Sequence, residues 1–212
     1  MVAVKSCAKE KLIAKIPDEE TRFTNLPDDG EAGTVEVSLF PFGSAPSSEQ
    51  QQKADELYEQ SLKTVKENGW FNFENAVKDG YIQLVEDELH YWNLNYTFDG
   101  ETLNPQKPEM IIYYDTEKGK RLAGFMYTAS TATEYGPQPG GPLTVWHYHT
   151  AEGDLCFKDG LIQKECPNKL ENLYQSPEML HVWFIDHRNG TFGSSMDLYD
   201  KETNQLLESK FD

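Results

Sequence analysis

The chain has 212 residues, of which 36 are acidic and 19 basic, for a formal net charge of −17. That balance excludes a surface built to grip nucleic-acid phosphates, which runs on clustered Lys and Arg. With 38% apolar and 12% aromatic residues the chain is not disordered throughout, and its length suits one domain whose core needs no disulfide to fold. No apolar run approaches the roughly 18–20 residues of a transmembrane segment.

Residues 1–33 are charged and punctuated by Pro17, Pro27 and Gly30, and read as an extended arm ahead of a single β-rich domain over 34–212. Thr34 to Phe40 alternates Val35, Val37 and Leu39 with polar neighbours, a strand pattern. After a break at Pro41 to Pro46, Ser47 or Ser48 caps a helix that runs to a stop at Gly69. Its apolar stripe is Ala54, Leu57, Tyr58, Leu62 and Val65. A second helix is expected near Asn72 to Lys78. From Met110 the texture turns to β. Met110–Tyr114 and Arg121–Ala129 flank a turn-rich stretch and predict a hairpin. Residues 130–142 form a Gly- and Pro-rich loop. Further strands are expected at Thr144–Thr150, around Leu155–Phe157 and at His181–His187, with a closing hairpin near the end. About seven short strands and one firm helix predict an α+β fold, mainly antiparallel β, sandwich- or barrel-like, with an N-terminal amphipathic helix.

Three cysteines leave one unpaired in any disulfide scheme. Cys156 and Cys166 flank a Lys158-Asp159-Gly160 turn signal and are close enough in sequence to bridge in an oxidising compartment. The first twenty residues carry no uninterrupted apolar core of a signal peptide. The chain is therefore expected to be cytoplasmic or the mature form of an exported protein, with an extracellular or periplasmic location slightly favoured.

Chemistry concentrates in the histidines. There are five, and four lie in two predicted strands: His147 with His149, and His181 with His187. Residues two apart on a strand share a face, so His147 and His149 point the same way. A third imidazole from a neighbouring strand would assemble a nitrogen ligand set for Zn, Fe, Mn or Cu. Aromatic neighbours Trp146, Tyr148, Trp183 and Phe184 would wall such a site from solvent. Asp154 is a candidate to complete it. There is no nucleophile-elbow, Walker or dinucleotide-binding motif.

The stretch Gly141-x5-His147-x-His149-x4-Asp154-x5-Gly160, followed by Pro177-x3-His181, resembles the two motifs of cupin barrels, which implies a metal-dependent enzyme acting on a small molecule. It departs from them in having Asp as the carboxylate, in its spacings and in lacking a central glycine in the second motif. A second resemblance covers residues 76–193. It runs through Asp79-Gly80-Tyr81, His90-Tyr91-x-Asn93, Pro108-Glu109, Trp146-His147-x-His149 and Leu180-His181-Val182-Trp183. These motifs are similar to a family of mostly exported bacterial proteins with no established activity. That resemblance groups His90, Glu109 and His181 into one pattern, makes His90 the favoured fourth ligand and Glu109 an additional candidate, and implies export. Asn93-Leu94 stands where relatives carry Asn-Pro.

Two readings follow. In one, His90, His147, His149 and His181 hold a divalent transition metal in a domain open to a small-molecule ligand. In the other, the domain is a metal-free structural or interaction module, oligomeric or not, in which the histidines pack. Both exclude nucleic acid as a partner.

Overall fold

Helix α1 (Ser48–Asn68) starts and stops where local chemistry dictates. The Ser47 side chain accepts from Gln50 N while the Gln50 side chain accepts from Ser47 N, completing a capping box. Gly69 ends the helix at φ 66°, a left-handed conformation that side chains disfavour. The buried stripe holds Ala54, Leu57 and Val65, with Tyr58 and Leu62 at its half-buried margin. Ser61 and Thr64 are also buried, contrary to their polarity, because their hydroxyls donate to the carbonyls of Leu57 and Gln60. Helix α2 (Phe73–Lys78), capped by Asn72, follows, and one further helical turn, α3 (Leu94–Thr97), is capped by Asn93.

This computed structural model describes residues 22–26, 34–84, 89–131, 134–149, 176–200 and 202–211, and the backbone of 156–158 and 161–163. Among the described residues the fold is α+β, with all strand pairings antiparallel. Eight strands form one sheet: β1 (Phe23–Asn25), β2 (Thr34–Ser38), β3 (Ile82–Gln83), β4 (His90–Trp92), β5 (Met110–Thr116), β6 (Gly119–Thr128), β7 (Trp146–His149) and β10 (Met179–Trp183). Their order is β1-β2-β7-β10-β6-β5-β4-β3. Strands β8 (Cys156–Lys158) and β9 (Leu161–Gln163) pair separately.

One sequence expectation is corrected here. The main helix is not N-terminal, because β1 and β2 precede it. Of residues 1–33 the structure describes 22–26, where β1 pairs with β2 and Arg22 is salt-bridged to Glu178 with both side chains buried. Burying that pair is tolerable because the two charges meet each other and most of their polar atoms are engaged, Arg22 Nε alone of the guanidinium nitrogens lacking a hydrogen-bond partner among the described residues. Arg22 Nη2 donates to Glu178 Oε2 at 3.0 Å, Gly136 N donates to the same oxygen, and the guanidinium lies over the Tyr135 ring.

Strand alternation divides the core in two. One face carries Val37, Ile111, Phe125, Tyr127, Trp146, Leu180 and Val182, and packs under α1 and α2. The other carries Trp92, Met110, Ile112, Met126, Met179 and Trp183, and is covered by irregular chain contributing Ile185 and Leu198. The β5–β6 hairpin is tighter than expected, since Thr116 pairs with Gly119 and only Glu117 and Lys118 are left to turn. The closing segment near 198–207 doubles back through a Tyr199–Leu206 bridge and the Leu207 N to Leu198 O hydrogen bond at 2.9 Å, without a longer ladder.

Candidate functional site

Alternation brings His147 and His149 of β7 to the face opposite the helices, because Trp146 and Tyr148 between them pack into the helix-side core. His181 of β10 joins them on the same logic: Leu180 and Val182 face the helices, while His181 and Trp183 face away. The His147 and His181 rings are 4.7 Å apart between centroids, and His147 and His149 are 5.4 Å apart.

His90 comes from further away. It lies on β4, three strands from β10 in the sheet order. On a flat sheet, three spacings of about 4.8 Å would separate the backbones by roughly 14 Å. The His90 and His181 ring centroids are nonetheless only 6.3 Å apart. Both side chains therefore lean inward over a concave face. Gly124 of β6, paired with Trp183 and Ile112, lets the Trp183 ring lie close on the sheet beside His181: a Cβ there would stand 2.6 Å from Val182 O and 3.1 Å from the Trp183 ring.

His147 is fully buried, and both of its ring nitrogens lack a hydrogen-bond partner among the described residues. Burial pushes its pKa well below the ordinary imidazole value, with the His149 and His90 rings adding to the effect. His181 is lowered likewise, first by burial and then by His147 and His90. Both rings are thus neutral at physiological pH and carry free lone pairs or single N–H donors.

The tautomer of His181 follows from its partners. Nδ1 lies 3.3 Å from the Gly193 carbonyl, which can only accept, so Nδ1 carries the proton. Nε2 is left with its lone pair, and it faces Met126 Sδ at 3.2 Å. A thioether has no proton to give, so this contact satisfies neither atom as a hydrogen bond. Trp183 Nε1 donates to the same Gly193 carbonyl at 2.7 Å, which fixes the segment that orients His181. His149 is held from the side, with Nδ1 3.1 Å from Thr34 Oγ1. His187, the fifth imidazole, stacks on Trp183 at 4.9 Å and meets the Ser195 carbonyl through Nε2. It buttresses the aromatic wall rather than joining the cluster.

Glu109 is not brought to these rings. It precedes Met110 and is out of phase with it, so it turns to the helix side, where Tyr81 and Tyr127 feel its charge. There burial raises its carboxyl pKa to about 8, and Oε2 has no hydrogen-bond partner among the described residues. Asp154, Cys166 and the Cys156 side chain lie outside the described residues, so the expected bridge does too. Three neighbours were not foreseen. Met126 and Met179 are the cross-strand partners of His181 and His147, and Glu36 is the other partner of His147. None of the three carried a signal that marks it in the sequence; Met126 lies opposite Met110 in the hairpin register and meets His181 only through pairing with β10.

Among the described residues, no three His, Cys, Asp or Glu side chains are gathered as a formed metal site. What the structure assembles is a concave, largely dry cluster of imidazoles backed by thioethers and tryptophan. Comparisons with protein-family models, curated proteins and solved structures found no match, so neither resemblance read from the motifs gains support beyond the motifs themselves.

Proposed function

We propose that the concave face binds one transition-metal ion, held by His147 and His181 with His90 and His149 completing the set. The observation that carries this reading is His147. A fully buried imidazole with neither nitrogen hydrogen-bonded among the described residues costs the fold about 1–3 kcal/mol for each unsatisfied group. An incoming metal would satisfy the lone pair that the fold leaves idle. The orientation of His181 supports the same reading, because an imidazole whose second nitrogen donates to a backbone carbonyl is the usual arrangement of a ligating histidine. Ring centroids 4.7 to 6.3 Å apart also suit rings converging on one ion, each nitrogen reaching about 2.0–2.1 Å to it.

The second reading, a metal-free module with packed histidines, is favoured by the absence of three gathered His, Cys, Asp or Glu donors among the described residues. Elemental analysis of tag-free protein, after loading with Zn, Fe, Mn or Cu and removal of excess, separates the two. Near-stoichiometric metal that disappears on combined His147→Ala and His149→Ala substitution, with circular dichroism unchanged, is the expected result. No retained metal in the unsubstituted protein would leave the packing module standing.

A further inference from the structure

The choice of metal follows from donor softness and donor number. His181 Nε2 and Met126 Sδ face each other at 3.2 Å, and neither can donate a proton to the other. Two donors sharing one metal, at about 2.0 Å for nitrogen and about 2.3 Å for sulfur, lie roughly 3.0–3.5 Å apart when the angle between them is near 90–110°. His147, with its idle nitrogens, stands beside them at 4.7 Å between ring centroids. Its cross-strand neighbour on β10 is a second thioether residue, Met179. The donors brought nearest one another here are therefore two imidazoles and one thioether, with His181 Nε2 and Met126 Sδ in contact and the His147 ring beside them. That set falls outside any count of His, Cys, Asp and Glu donors.

We infer that this site is selective for monovalent copper, bound by His147, His181 and the Met126 thioether. The inference rests on the metal-binding reading above and specifies its ligand. Thioether sulfur is a soft donor that prefers Cu(I) to the harder divalent ions. Monovalent copper is content with two or three ligands, whereas a structural zinc site almost always takes four. Charge argues the same way. The cost of moving an ion into a dry site rises with the square of its charge, so a donor set that is neutral among the described residues favours the lower charge. Glu36, the carboxylate opposite His147, has both oxygens engaged: Oε1 accepts from Ser194 Oγ and Oε2 from Asn25 Nδ2. Met126 is 4% exposed and Trp183 1% exposed, so the thioether is shielded from solvent and from oxidation to the sulfoxide.

The test is an anaerobic titration of the tag-free full chain with Cu(I) against a chromophoric Cu(I) chelator, and in parallel with Zn(II) against a zinc chelator. Copper absorption spectroscopy supplies an independent readout of sulfur ligation. The expected result is one Cu(I) per chain with a sulfur scatterer near 2.3 Å. Met126→Leu should weaken Cu(I) binding at least ~10-fold, as loss of one soft donor requires, and change Zn(II) binding less than ~2-fold. Should Met126→Leu fail to fold, the scattering signal of the unsubstituted protein decides alone. Equal or tighter Zn(II) binding, or bound copper with no sulfur scatterer, overturns the Cu(I) assignment and leaves a histidine metal site. Failure of both ions to bind overturns the Cu(I) assignment, and together with no Fe or Mn retained in the loading experiment above it overturns the metal-binding reading itself.

Discussion

Replacing Glu109 by Gln should make this protein more stable, and increasingly so as pH rises. Glu109 is 2% exposed, and burial lifts its carboxyl pKa from 4.5 to about 8, against the partial relief of hydrogen bonds from its own backbone and that of Thr128. The native state therefore keeps a proton that the unfolded chain releases above pH 4.5. A raised acid pKa costs nothing below the unfolded value and costs progressively more up to the folded value, about 1.4 kcal/mol for each pH unit. Between pH 4.5 and 7 this amounts to roughly 3 kcal/mol of stability lost to one carboxyl group, and above pH 8 the loss levels off. Glutamine has nearly the shape of the neutral acid and no charge to bury. Urea unfolding of both proteins at pH 5, 6, 7 and 8 measures the difference. At pH 5 the two should nearly coincide; at pH 8 the variant should lead by several kcal/mol, a midpoint shift of about 1–2 M at typical urea slopes. A variant that is less stable at every pH, or a gap that does not change with pH, would show that Glu109 is ionised and paired in the fold.

Three further outcomes are expected. Because His147 and His181 are buried with pKa values well below 6.5, the metal-free protein should lose stability as pH falls below the unfolded imidazole value, and His147→Leu should flatten that acid limb in thermal unfolding between pH 7 and 5. Gly124→Ala would drive a methyl group against Val182 O and the Trp183 ring, so a loss of about 1–3 kcal/mol and an altered near-ultraviolet tryptophan signal are expected, and an unchanged spectrum would refute the close packing of that strand. Ser47→Ala removes the capping box of α1 and should cost about 1 kcal/mol in chemical denaturation, with no effect on metal retention.

Much of this molecule was legible from local chemistry. The ends of α1 follow from a capping serine and a glycine, features that act within one turn of backbone, while the structure chose Ser47 over Ser48. The Met110–Thr128 hairpin follows from alternation around a turn, and its register needs only the two strands it joins. That His147 and His149 share a face follows from the two-residue period of any strand. These are short-range rules, and they hold wherever the chain is placed.

Tertiary structure decided the rest. Residue identity does not say that β7 lies between β2 and β10, that Phe23–Asn25 leaves the arm to edge the sheet, or that the sheet curls until His90 reaches His181 across two intervening strands. Strand order is settled by which faces bury together, a property of the whole sheet. The same holds within the site. Glu109 and His90 were joined by a motif, yet one step of alternation put the carboxyl under the helices and the imidazole over the concave face. Met126 carried no signal of its own beyond an apolar strand. It became the neighbour of His181 only when β6 and β10 paired in register, because a cross-strand contact belongs to two segments and is written in neither.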